Sequence, residues 1–148
     1  MPVHFWILTH KYGTSNFSGH AFKIDGVRWP TVEHSYQASK FEDAALQERI
    51  RLCHTPRDAK NLGRSDEAGP RADWEEIKEN VMRRALHAKF QTHVDARELP
   101  LSTGDELLIE DSPDDFCWGI GDGIGRNRLG VLLMELRAEL RGVSPIPL

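Results

Sequence analysis

"TVEHSYQASKF", residues 31–41, places Glu33, Tyr36, Gln37 and Lys40 at i, i+3, i+4 and i+7. At that spacing an ordinary surface helix carries its apolar stripe. Here the stripe holds a carboxylate, a phenol, an amide and an amine, flanked by Val32 and Phe41. Such a pattern fits either a solvated face or a set of groups aimed into a cleft. Upstream, "HAFKIDGVRWP" (20–30) holds two short runs about Asp25-Gly26, a strong hairpin signal, and Pro30 closes it. "VHFWIL" (3–8) has the aromatic and β-branched composition of a strand.

Downstream the chain turns helical. Asp43 is placed to cap a helix through "AALQERIRL", and Thr55-Pro56 offers a cap followed by proline at the first helical position, with Gly63 suited to that helix's end. Asp73 is placed to cap a longer helix. Its stripe is Trp74, Ile77, Val81 and Ala85, widened by Met82, Leu86 and Phe90. Leu129, Leu132, Leu133, Leu136 and Leu140 make an amphipathic helix that Gly142 can terminate. "DELLIED" (105–111) reads as a strand or an extended edge, and "SPIPL" (144–148) as a tail. The expected fold class is α+β, predominantly α-helical: one domain over residues 1–148 with a small N-terminal β-hairpin.

Composition narrows the function classes. The 148 residues are 39% hydrophobic and 28% charged, with a formal net charge of −4. A large nucleic-acid surface would normally carry a basic excess, so a small site for one nucleotide is the wider opening. Cys53 and Cys117 lack any zinc-like spacing. There is no charged n-region followed by an apolar run and no stretch of bilayer-spanning length, so a cytoplasmic protein with no membrane partner is expected. HExxH is missing, and His87 and His93 lie six apart, off any single helix face. No G-x-S-x-G elbow supports a serine hydrolase.

Two further clusters carry chemistry on either of two readings. "WGIGDGIGRNRLG" (118–130) fails the G-x-G-x-x-G, P-loop and EF-hand spacings. Four of its glycines fall within seven residues, Gly119, Gly121, Gly123 and Gly125, and suit a tight turn into the leucine helix, or a backbone cradle for an anion at that helix's start. In "TPRDAKNLGR" (55–64), Lys60 and Arg64 at i, i+4 form either a cationic grip on a phosphate or a solvated basic face. His34 is read as a ligand contact or a hydrogen-bonded structural histidine, and Trp74 as a stacking platform or a core residue.

Taken together, "SNFSGHAF" (15–22), "DGVRWPTVEHSYQASKF" (25–41), "PRDAKNLGR" (56–64), "DWEEIKENVMRRALHAKF" (73–90) and "FCWGIGDGIGRNRLGVLLMELRAEL" (116–140) resemble, in order and spacing, the NADAR family, also called YbiA-like. The resemblance runs from about Phe17 to Leu140. It implies a mostly helical fold with a small β element, and N-glycosidase activity on ribose-linked compounds with no metal or other cofactor. The substrates it implies are ribosylamino-pyrimidine phosphates of riboflavin synthesis or ADP-ribosylated guanine, free or in DNA or RNA, the latter with an ADP-ribosyltransferase as functional partner. A non-catalytic module that binds ADP-ribose or a nucleotide is the rival reading.

Carried over by motif, the family's acidic position falls on Glu33, its lysine on Lys40, its tryptophan before the long helix on Trp74, and the aspartate of its glycine-rich motif on Asp122. Ser35 stands where many members have tyrosine. Glu33 and Asp122 would supply the paired carboxylates that glycoside cleavage needs. Lys40 would attack the anomeric carbon, or orient the ribose or phosphate. Trp74 and Trp118 would stack on the base. Asn16, Ser18 and Gln37 would bind ribose hydroxyls, with Phe17, His34 and Tyr36 in the pocket wall. Arg64 and the loop of Gly119, Gly123 and Asn127 would hold phosphate. On this reading Glu33, Tyr36, Gln37 and Lys40 face a pocket, with Ser35, Ala38 and Ser39 on the helix's other side.

Overall fold

The computed structural model describes residues 1–5, 13–65, 69–112, 115, 117–121, 123 and 125–142. The chain divides into two compact units, Asn16–Thr92 and Met1–Ser15 with His93–Leu148.

The unit Asn16–Thr92 opens with a hairpin of β2 (Phe22–Ile24) and β3 (Val27–Trp29), paired Phe22 to Trp29 and Ile24 to Val27. The strand β1 precedes it in the other unit. Asp25 and Gly26 both take positive φ, 50° and 80°. Positive φ at both central residues suits the right-handed twist of the flanking strands. Helices α1 (Val32–Ser39), α2 (Ala44–Arg51), α3 (Pro56–Gly63) and α4 (Trp74–Thr92) follow. Thr31 caps α1 by accepting from His34 N–H, Asp43 caps α2 through Ala45 and Leu46, and Thr55 caps α3 through Asp58 with Pro56 in the first turn. Each side-chain oxygen satisfies a donor that the helix itself leaves open.

α1 packs against α2, α3, α4 and β3. Every residue from Val32 to Ala38 is buried. The expectation of one pocket-facing stripe is therefore incomplete: Ser35 and Ala38 on the opposite side are as sequestered as Glu33. Small side chains there let α2 approach, and Ala38 joins Phe41, Leu46, Ile50 and Ala59 in an apolar cluster. From α4 the buried face is Trp74, Met82, Ala85, Leu86, Lys89 and Phe90, whereas Ile77 and Val81 are only half-buried.

In the other unit, β1 (Val3–Phe5) pairs in parallel with β4 (Leu108–Glu110). Of "VHFWIL", the last three residues lie outside the described residues. α5 (Val94–Ser102) and α6 (Arg128–Leu140) complete this unit, with Leu129, Leu132, Leu133 and Leu136 buried on α6. The sequence reading passes over α5, whose pattern is interrupted by an internal Pro100. Gly142, with φ 75°, ends α6 as its position suggests. Arg137 is buried yet satisfied, donating to Thr103 Oγ1 at 2.8 Å and to the Glu106 carbonyl at 2.7 Å. Among the described residues the architecture is six helices with two two-stranded sheets, α+β and predominantly helical. No described helix is long and apolar enough to cross a membrane.

Candidate active site

Glu33 lies in the first turn of α1 and is 7% exposed. Its own N–H, one of the donors a helix start leaves open, is taken by the carbonyl of Asn16 at 3.1 Å. That bond docks the Asn16–Ser18 turn onto the same end of the helix. One turn further on, Gln37 Nε2 donates to Glu33 Oε1 at 2.7 Å. Burial pushes the Glu33 carboxyl above the usual carboxylate range. The Gln37 hydrogen bond and the charges of Lys60, Lys40 and Arg64 pull the other way, and burial wins. The result is a sequestered carboxyl group with three cations, Lys60, Lys40 and Arg64, acting on it.

The cations come from two helices. Lys40 closes α1, while Lys60 and Arg64 lie one turn apart at the end of α3. Lys40 Nζ stands 5.8 Å from the Tyr36 ring centroid, and Tyr36 leans on Trp74 with ring centroids 5.1 Å apart at 57°. Phe17 carries two cations over its ring, Arg57 at 5.8 Å and Lys60 at 5.7 Å. Such contacts hold a cation near an aromatic face without consuming its charge. Arg57 was not among the expected contacts; its signal was its place one turn before Lys60 on the same helix.

Other expected contacts are spoken for. His34 is 1% exposed, with Nδ1 2.8 Å from Thr31 Oγ1 and Nε2 3.0 Å from the Cys53 carbonyl. A carbonyl only accepts, so Nε2 carries the hydrogen, and burial lowers the imidazole's pKa. His34 ties α1 to the end of α2, the structural alternative of the two. Ser18 pairs with His20 Nδ1 at 2.9 Å. Asn16 Nδ2 reaches Met82 Sδ at 3.5 Å, while its Oδ1 is buried with no hydrogen-bond partner among the described residues. Trp74 is buried, with its ring against Tyr36. Burial raises the Cys53 thiol's pKa, which makes it a poor nucleophile.

A groove of about 490 Å³ between the hairpin and α4, lined by Lys23, Arg83, Arg84 and His87, shares no residue with this cluster. No group of three His, Cys, Asp or Glu among the described residues is arranged to hold a metal.

The glycine-rich loop belongs to the other unit, and Asp122 within it lies outside the described residues. The loop folds on itself. A Cβ on Gly119 would sit 3.0 Å from the Glu110 carbonyl, and one on Gly125 2.5 Å from that of Gly119. Gly123 takes φ 112°, and a Cβ on it would meet none of the described residues within 4 Å. Asn127, also in the left-handed region, spends its amide on β4: Nδ2 donates to Leu108 O at 2.8 Å and Oδ1 accepts from Glu110 N at 2.9 Å. Its side chain is thus a clamp between α6 and β4. Trp118 is buried, and its backbone N–H donates to Asp115 Oδ1 at 2.8 Å.

Residues 4–141 match the model of the NADAR domain. The chain belongs to this family. It is 45% identical to N-glycosidase Npun_R5314 of Nostoc punctiforme over 97% of this chain and 95% of that one. It is likewise 45% identical to N-glycosidase YbiA of Escherichia coli, over 93% and 88%. The NMR structure of E. coli YbiA superimposes with a TM-score of 0.86, covering 95% of this chain and 85% of that chain at 44% identity. The riboflavin biosynthesis protein PYRR of Zea mays is 41% identical over 88% of this chain, which spans 24% of its length. With such kinship over nearly its whole length, this NADAR chain is an enzyme of the N-glycosidase class.

In NADAR terms, the helical unit alone brings together Glu33, Gln37, Lys40 and Arg64, with the Tyr36 ring near Lys40 and tilted against Trp74, and the Asn16–Ser18 turn docked at the Glu33 end. That set places a buried carboxyl, an amine and further cations on two adjoining helices.

Proposed function

We propose that this chain hydrolyses the bond between ribose C1 and an exocyclic amine nitrogen, in ADP-ribosylated guanine or in ribosylamino-pyrimidine phosphates of riboflavin synthesis. The observation that carries the reading is Glu33: a buried carboxyl whose pKa is raised by burial, with Lys40, Lys60 and Arg64 about it. A carboxyl that burial makes hold its proton to higher pH than a solvated one can act as general acid to a leaving nitrogen. The neighbouring cations suit the phosphates that both substrate classes carry. The name of the maize relative speaks for the second class.

In the reaction, Glu33 gives its proton to the exocyclic nitrogen as the C1–N bond breaks and its electron pair leaves with the amine. The Lys40 amine, in its neutral form, attacks C1. The C1–O4 bond of the ring then breaks, a proton passes from the lysine nitrogen to the ring oxygen, and the open sugar is held as a Schiff base. Water adds to that carbon and returns a proton to Glu33, the free sugar departs, and the amine is restored. Arg64 and Lys60 hold phosphate, and Asn16 Oδ1, buried without a partner among the described residues, accepts from a ribose hydroxyl. The roles of Asp122 as second carboxylate, and of Trp118, Gly119 and Gly123 as base and phosphate contacts, rest on the family motif alone. His34 and Asn127 act through the fold.

The test is chromatographic release of the free base from ADP-ribosylated guanosine and from a ribosylamino-pyrimidine phosphate, with Glu33→Gln as control. Release from one of them by the wild type alone assigns that substrate. Intact substrates together with tight ADP-ribose binding would make the chain a binding module instead.

A further inference from the structure

Gln37 is an expensive residue where it stands. It is 3% exposed, and its Oε1 is buried with no hydrogen-bond partner among the described residues. An unsatisfied buried carbonyl costs stability that leucine or methionine of similar shape would not. Its other amide atom, Nε2, spends its hydrogen bond on Glu33 Oε1. The amide is held there from behind by α3. A Cβ built on Gly63 would run into Gln37 Oε1 and would lie 2.9 Å from both Cβ and Cδ of Gln37. Gly63 is helical and has no positive φ, so backbone conformation does not demand glycine at this position. Close approach of α3 to this one side chain does. A glycine expected for its place at a helix end thus serves the neighbouring helix.

We infer that Gln37, wedged against the bare backbone of Gly63, is a positioning residue that fixes Glu33 Oε1 and so aims the rest of the carboxyl. This rests on the reading of Glu33 as proton donor. The charges facing Glu33 are Lys40 on its own helix and Lys60 and Arg64 on α3, and none of them is altered by changing Gln37. The Gln37 hydrogen bond is the leading influence opposing the effect of burial on Glu33, so its loss lets the carboxyl hold its proton to still higher pH.

The experiment combines Gln37→Leu, Gly63→Ala and their double variant. The readouts are the Glu33 titration, followed by NMR of ¹³C-labelled glutamate carboxyls and assigned with Glu33→Gln, and the pH profile of kcat. Gln37→Leu moves the Glu33 titration to higher pH and lowers kcat on the order of 10²-fold, the scale for a reacting group displaced by about 1 Å. Gly63→Ala moves the titration the same way, and in the Gln37→Leu background it moves it no further. If Gly63→Ala fails to fold, Gln37→Leu decides alone. A Glu33 titration unchanged by Gln37→Leu overturns the inference. A titration that moves while kcat and its pH limb stay put upholds the positioning and removes Glu33 from the chemistry, so that the proposed function falls instead.

Discussion

Replacing Glu33 with glutamine deletes one proton and one charge while keeping shape and an oxygen that can accept from Gln37. Two opposite consequences follow. Removing a general acid costs about 10²- to 10⁴-fold in rate, which at 1.36 kcal/mol per tenfold raises the barrier by roughly 3–5 kcal/mol. Stability moves the other way. In the unfolded chain the carboxyl titrates near its ordinary value of 4.5, and in the folded chain burial places it higher. Above the folded value, folding must bury a charge that the unfolded chain keeps in water, and stability is lost there. As pH falls through the folded value towards 4.5 that penalty disappears, and below 4.5 no further change comes from this group. Glutamine carries no such penalty. The variant therefore melts above the wild type at neutral pH, the gap closing in acid over the interval between the raised value and 4.5. Steady-state turnover and calorimetric melting from pH 4 to 8 measure both. Turnover within tenfold of wild type, or a variant that melts lower at neutral pH, would refute the reasoning; the second result would mean that Lys40, Lys60 and Arg64 outweigh burial.

Lys40→Arg keeps the charge and removes a usable amine, so borohydride trapping of the sugar on the enzyme is abolished and kcat falls at least about 10²-fold; trapping that persists in the variant would place the adduct elsewhere. Asp43→Ala removes an acceptor that serves the N–H groups of Ala45 and Leu46, and lowers stability by about 1 kcal/mol in denaturant unfolding without touching KM. Asn127→Ala breaks both links to β4 and costs about 2 kcal/mol, near 1 for each bond. If instead KM rises while stability holds, Asn127 touches substrate as the glycine motif suggested.

Much of the local structure was legible because its causes act within four residues. Asp25-Gly26 makes its turn since both positions must reach positive φ, and Asp43, Thr55 and Pro56 start their helices by meeting nearby backbone donors or by lacking one. Gly142 ends α6 for the same kind of reason. The polar stripe of α1 was visible too, along with Glu33, Gln37 and Lys40 as residues out of place on such a face. Long-range packing decided the rest. No pattern in Val3–Phe5 announces a parallel partner a hundred residues away, and nothing local says that α1 is enclosed on both sides by α2, α3 and α4. Gly63 reads as a helix end until α3 is seen against Gln37. Asn127 reads as a ligand contact until its amide is found bridging β4. The sequence by itself determined where the hairpin turn and most of the helices begin and which polar side chains stand on the stripe of α1, because capping, φ restriction and residue type are local properties. Only the tertiary structure decided which of those side chains stay available, since a hydrogen bond or a buried charge takes its energy from neighbours that the chain brings from far away.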